Sequence, residues 1–107
     1  MKITKISEMK GGWFAGDFTP TLFSTKEFEA GVKSYKRGEY DKKHYHKIAT
    51  EITVIISGKA MMMNNLVTAG DVITISPNEV SDFLPLEDTS LAVIKIPSVK
   101  GDKYLVD

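Results

Sequence analysis

The chain has 107 residues, enough for one modest domain that buries a real core and keeps much of its surface in water. Lysine plus arginine equal aspartate plus glutamate at 14 each, and the lysines are spread along the chain, so no nucleic acid partner is expected. Cysteine is absent, which removes disulfides, thiolate metal sites and cysteine nucleophiles and leaves only nitrogen and oxygen ligands for any bound metal.

Met1 to Met9 alternates polar and apolar residues and lacks the apolar centre of a signal peptide. No apolar run reaches bilayer length, so the expectation is a soluble, cytoplasmic protein with no membrane partner. Strand signals then dominate: short segments rich in Val, Ile, Thr, Tyr and Phe, broken by Gly, Asn, Asp and Pro. The pattern predicts strands at Lys2–Ile6, Phe28–Lys36, His44–His46 and Glu51–Ile56, then at Lys59–Met63, Asp71–Ser76, Ser81–Leu84 and Leu91–Ile96. Ser24–Glu27 carries a helix-start signature worth at most one turn. Strands this closely spaced, with no long helix between them, mean an all-β sandwich or barrel.

Three stretches say more than strand or turn. Gly11 to Phe18, within an N-terminal arm of residues 1–25, is aromatic and glycine-rich. It reads as a segment packed on the barrel or a partner, with a flap over the barrel mouth as the alternative. Glu51–Ile56 places Glu51, Thr53 and Ile55 on one face and Ile52, Val54 and Ile56 on the other. A water-facing stripe of three β-branched apolar residues needs a cover, and a homodimer with packed sheets is the expected one. Met61 to Met63 reads as core filling. The tail, residues 98–107, is polar until Tyr104-Leu105-Val106, which is expected to dock on the barrel.

The chain's two histidines sit together as His44-Tyr45-His46. On a strand, residues two apart share a face, so both imidazoles can converge inside a barrel while Tyr45 points away. Glu51 follows after a connection short enough to begin a neighbouring antiparallel strand, and its carboxylate can reach the same point. Two imidazoles and a carboxylate make a three-point face suited to a divalent metal ion, Fe, Mn, Ni, Co or Zn.

From Gly38 to Gly58 the sequence resembles the first motif of the cupin superfamily. Gly38, His44, His46, Glu51 and Gly58 fall at every fixed position of that motif. A second motif begins at Gly70-Asp71-Val72 and then departs: Ser76 and Asn78 replace its proline and glycine, and Pro85 its asparagine. Ser81 stands where a further histidine ligand belongs. Asn78 tolerates the left-handed backbone that glycine would supply, so the turn itself can survive.

The resemblance spans Phe28 to Pro97 and implies a double-stranded β-helix (cupin or jelly-roll) barrel. The whole chain is then a single cupin domain, with barrel residues 26–97 between the arm and the tail. It also implies His44, His46 and Glu51 as metal ligands, with the fourth position taken by Ser81 or water. Asp82 would turn inward only if the strand slipped in register. Tyr35, Phe83 and Lys95 are the candidate substrate contacts, although Lys95 also fits an ordinary solvent-facing position. Cupins resembling this chain include isomerases, epimerases, lyases, decarboxylases and dioxygenases, so the expected ligand is a small oxygen-rich molecule such as a sugar or keto acid. The alternative is a non-catalytic module that binds a metal or small molecule. Fold alone does not choose between them.

Overall fold

The computed structural model describes residues 1–107. It is all-β apart from two short 3₁₀ turns, Ile6–Glu8 and Lys10–Gly12. The strands are β1 (Trp13–Gly16), β2 (Phe23–Ser24), β3 (Glu29–Tyr35), β4 (Asp41–Tyr45), β5 (Thr50–Ser57) and β6 (Lys59–Met62). They continue with β7 (Asn65–Thr68), β8 (Val72–Ile75), β9 (Ser81–Pro85), β10 (Thr89–Ile96) and β11 (Tyr104–Leu105). A six-stranded sheet runs β2-β1-β3-β10-β5-β8 and faces a five-stranded sheet ordered β11-β4-β9-β6-β7. No helix is long and apolar enough to cross a membrane.

Local chemistry explains the turns that set this order. Met63 and Asn64 both have positive φ, 46° and 65°, so the two-residue link between β6 and β7 twists in the sense that a hairpin needs. Gly58 joins β5 to β6 at φ 95°, and a Cβ there would run into the Asp88 carbonyl and Thr89, so only glycine fits. Asn78 takes φ 69°, and the turn before β9 survives without its glycine as expected.

The expected strands of the barrel are present, with small changes of boundary. Lys2–Ile6 is not a strand: it has no ladder partner, and Ile3 and Ile6 remain largely exposed, so neither hydrogen bonding nor burial holds an extended chain there. Ser24–Glu27 forms no helical turn; Ser24 ends β2, and the Thr25 hydroxyl accepts the Glu27 N–H instead. Residues 13–24 are not a loose arm but two edge strands of the larger sheet. Of the three methionines, only Met62 fills the core; Met61 is half-buried and Met63 sits in the turn. The tail docks through β11, which pairs with β4 and stacks Tyr104 on Tyr45 at 5.4 Å between ring centroids.

The barrel interior divides along its length. One end is an apolar cluster of Ile55, Ala60, Met62, Val67, Ile75, Phe83, Leu91 and Val93. The strand register that puts Leu91 opposite Ile55 puts Lys95 opposite Glu51 four residues away, so the same strands carry polar side chains inward at the other end. That polar end holds the candidate site.

Candidate metal and small-molecule site

A cavity of about 160 Å³ opens at the polar end, bounded by Trp13, Lys33, Tyr35, Asp41, His44, Glu51, Thr53, Ser81, Phe83 and Lys95, with other residues of both sheets completing its wall. His44 ends the inward run of β4, and Ser81 lies opposite it on β9. Glu51 begins β5. The four-residue link His46 to Ala49 returns the chain from one sheet to the other, which brings the histidines and the carboxylate to one interior.

His44, His46, Glu51 and Ser81 are all buried. His46 Nε2 lies 3.4 Å from Glu51 Oε1, too far to satisfy it, and this buried nitrogen has no hydrogen-bond partner. The rings of His44 and His46 are 5.5 Å apart, edge to face. As they stand, no group of three His, Cys, Asp or Glu side chains forms a cluster that could hold a metal ion.

Both histidines are oriented from behind. His44 Nδ1 contacts the Lys42 carbonyl at 2.6 Å, and His46 Nδ1 contacts the Asp102 carbonyl. Each carbonyl can only accept, so each Nδ1 carries the proton and each Nε2 offers a lone pair.

Asp102 does more than that. Its carboxylate accepts the backbone N–H groups of Lys47 at 2.8 Å, Ile48 at 3.1 Å and Ala49 at 2.9 Å. Burial pushes the Asp102 carboxyl up, but those three donors and the neighbouring His46 outweigh it and hold the group below its ordinary value. One tail residue thus fixes both the β4–β5 loop and the His46 ring.

Burial likewise pushes the Glu51 carboxyl up. The Lys95 ammonium, the Thr53 hydroxyl, which donates at 3.0 Å, and the His46 ring when its Nε2 also carries a proton together overcome that effect and hold Glu51 below its ordinary value. Glu51 is therefore an anion at neutral pH.

The sequence-derived substrate contacts gather here. Tyr35, Phe83 and Lys95 all line the cavity, and the Tyr35 and Phe83 rings meet at 4.8 Å. Burial, with the charges of Asp41, Glu51 and Glu39, pushes the Tyr35 hydroxyl up to about 12. Strand β9 keeps regular alternation: Ser81 and Phe83 are buried, while Asp82 accepts from the Tyr40 hydroxyl and the Met63 N–H.

Lys33 and the role of Asp102 are not anticipated by the sequence reading, and Trp13 enters it only through the alternative of a flap over the barrel mouth. Lys33 shares the inward parity of Tyr35 on the same strand, a signal present in the sequence. Asp102 acts on His46 through a backbone carbonyl 56 residues away, and local sequence carries no sign of that contact.

No protein-family model matches this sequence, and no curated protein matches it. Solved structures do. An uncharacterized conserved protein with a double-stranded β-helix domain from Klebsiella pneumoniae is 18% identical, with a TM-score of 0.74 over 100% of this chain and 98% of that one. The DMSP lyase DddQ from Ruegeria pomeroyi is 20% identical, with a TM-score of 0.70 over 80% of this chain and 46% of that one. A sugar phosphate isomerase of the cupin superfamily from Silicibacter pomeroyi is 14% identical, with a TM-score of 0.62 over 67% of this chain and 52% of that one. At these identities the likeness establishes the fold, which is the cupin double-stranded β-helix.

Proposed function

We propose that this cupin-fold chain binds a divalent metal ion through His44, His46 and Glu51 and acts on a small oxygen-rich metabolite, by isomerase, epimerase, lyase or dioxygenase chemistry. One observation carries the reading. Two buried imidazoles have their Nδ1 edges tied to backbone carbonyls, and one of the freed Nε2 atoms is an unpartnered buried acceptor beside an ionised carboxylate. Metal-ligating histidines are held in this way, by an acceptor behind the ring that fixes the tautomer. The donors suit Fe, Mn, Ni, Co or Zn in kind; His44 and Glu51 line one cavity, and His46, buried beside Glu51, would join them by side-chain rotation. An ion there would polarise a carbonyl oxygen of the ligand and stabilise the charge that develops on it.

The chain's own residues do the rest. Ser81 faces His44 and leaves the position opposite it to its hydroxyl or to water. Ser81→Ala that keeps metal affinity favours water, and a large loss favours the hydroxyl. Tyr35 and Phe83 form an apolar wall, and Tyr35 stays neutral as a hydrogen-bond donor. The barrel acts as a homodimer joined by the outer face of its larger sheet.

The second reading, a non-catalytic binding module, is favoured by Ser81 standing where a further nitrogen ligand would complete the shell. Metal content of the purified chain, followed by solvent isotope exchange on keto sugars and keto acids, tests the proposal. Bound metal with exchange supports the enzyme, bound metal without exchange on any substrate supports the module, and no metal uptake removes both forms of the metal reading.

A further inference from the structure

The interior surface of β3 carries a feature that metal ligation does not use. Gly31 lies opposite Trp13, and a Cβ on it would press 2.9 Å from the indole, so the missing side chain is the space in which Trp13 lies flat. Two residues further along β3 is Lys33; on β10, across the same gap, is Lys95. Each ammonium stands 5.0 Å from the Trp13 ring centroid. Both side chains are half-buried and line the cavity that His44 and Glu51 also line.

Neither ammonium has an acidic partner. The lysine ion pairs of the whole chain are Lys100–Asp17 and Lys103–Asp41. Glu29, which is opposite Lys95 in register, accepts the Ser98 hydroxyl instead. Asp41, the other carboxylate near Lys33, is 3.6 Å from Lys103. Glu51, opposite Lys95 in register on the other side, is in contact with the Thr53 hydroxyl and the His46 ring. Two like charges are thus held on one aromatic ring, partly out of water, with no carboxylate in ion-pair contact. A ring quadrupole attracts a cation but does not neutralise it. Burial, and after it the repulsion from Lys95, hold the Lys33 ammonium below the usual lysine range. A divalent ion on Glu51 would leave the cavity still more positive.

We infer that Lys33 and Lys95, gathered on Trp13, form an anion subsite that takes the carboxylate or phosphate group of a small acidic metabolite. This names the substrate class for the cavity and rests on the functional reading above for the chemistry beside it, though not for the anion binding itself. An anion between the two lysines removes their repulsion and gains charge-assisted hydrogen bonds from both. It also anchors the remainder of the molecule toward His44 and Glu51, and the cavity's 160 Å³ suits a short-chain or single-ring compound.

Trp13 is the only tryptophan in the chain, so its fluorescence reports on this subsite directly. The test titrates the full-length, metal-free chain with pyruvate and with inorganic phosphate, against potassium chloride at matched ionic strength. A saturable response beyond that of chloride is the expected result, and the tighter of the two probes assigns the anion. Lys33→Met and Lys95→Met should each weaken it by roughly tenfold or more, the loss of one charged hydrogen bond. Circular dichroism checks that each variant folds, and Lys33→Gln and Lys95→Gln replace any that does not. A response no different from chloride, or wild-type affinity in the folded lysine variants, overturns the inference. Metal uptake, measured on the same samples, separates the two claims. A chain that binds anion but no metal retains this subsite and loses the functional reading; one that binds metal but no anion does the reverse.

Discussion

At the cavity end, the two faces of the larger sheet invert the usual order of a β-protein. Strand β5 turns Glu51 and Thr53 inward and Ile52, Val54 and Ile56 outward. Its neighbours agree: Lys33, Tyr35 and Lys95 face the cavity, while Val32, Ile94 and Val72 face out at 41%, 41% and 60% exposure. Register aligns Val32, Ala92, Val54 and Val72 in one row across four strands. No charged side chain interrupts the outer face between β3 and β8. Water should select the opposite pattern, so each face implies something that the isolated chain lacks. The polar interior is arranged for a ligand, and the apolar exterior for a protein surface. In the proposed homodimer this uncharged face would be covered by a second copy of itself.

The largest expected effect breaks the outer face. Fully burying a Val or Ile is worth roughly 1.5–3 kcal/mol, so a dimer formed through this face cannot accept a charge in its middle row. Val54→Lys should convert a dimer to a monomer across a micromolar dilution series followed by light scattering. A dimer that tolerates the lysine places the interface elsewhere. A monomeric wild type leaves the stripe uncovered in solution. Strands β1 and β2 do not provide the cover, since they lie beyond β3 and β10 from β5.

The next effect tests the support of the inner face. Asp102→Ala removes the acceptor of three loop N–H groups and should cost about 2–4 kcal/mol of stability, read by denaturant unfolding. If the residue also acts through His46, metal affinity should fall by about 10–100-fold in the folded variant. Loss of stability with unchanged affinity would confine Asp102 to the loop. The lowered pKa of this carboxylate fixes the sign of its pH dependence. Its contribution is present above the ordinary aspartate value and is lost as pH falls through the folded-state value, so Asp102→Ala should flatten the acid limb of a stability profile.

How much of this contrast was legible in the sequence depends on which contacts are local. The alternation of β5, the pairing of His44 with His46, the inward turn of Ser81 and the docking of Tyr104 follow from period-two spacing and from turn residues. Short strands were not legible. β2 and β11 have two residues each, and Trp13–Gly16 is half glycine and alanine, so their identity comes from ladders with distant strands. The false strand at Lys2–Ile6 shows the converse, alternation without an edge to pair. The lysine pair on Trp13 escaped for a third reason: it depends on the empty space at Gly31, and an absent side chain gives no hydropathy signal. Asp102 works partly through its carbonyl, an atom that every residue type possesses.

The smallest effect concerns the apolar wall of the cavity. The Tyr35 hydroxyl is raised to about 12, so its neutral form stabilises the fold fully below the ordinary tyrosine value, and that contribution is lost as pH rises toward the folded-state value. The Tyr40 hydroxyl, which donates to Asp82, is also raised, so tyrosinate absorbance should show a last-titrating step beyond it that disappears in Tyr35→Phe, and the variant should lose less stability than wild type over that alkaline window. A Tyr35→Phe profile that coincides with wild type would mean that the hydroxyl is freely hydrated.

The central claim is that the polar interior is a metal site, and elemental analysis tests it most directly. Wild-type chain and the His44→Ala, His46→Ala double variant are incubated with Fe, Mn, Ni, Co and Zn salts at neutral pH, desalted and measured side by side by mass spectrometry. The account predicts about one divalent ion per wild-type chain and none in the folded double variant, because removing both imidazoles leaves Glu51 as the single one of the three proposed ligands. Stoichiometric metal in the double variant, or none in the wild type with any of these ions, would contradict it.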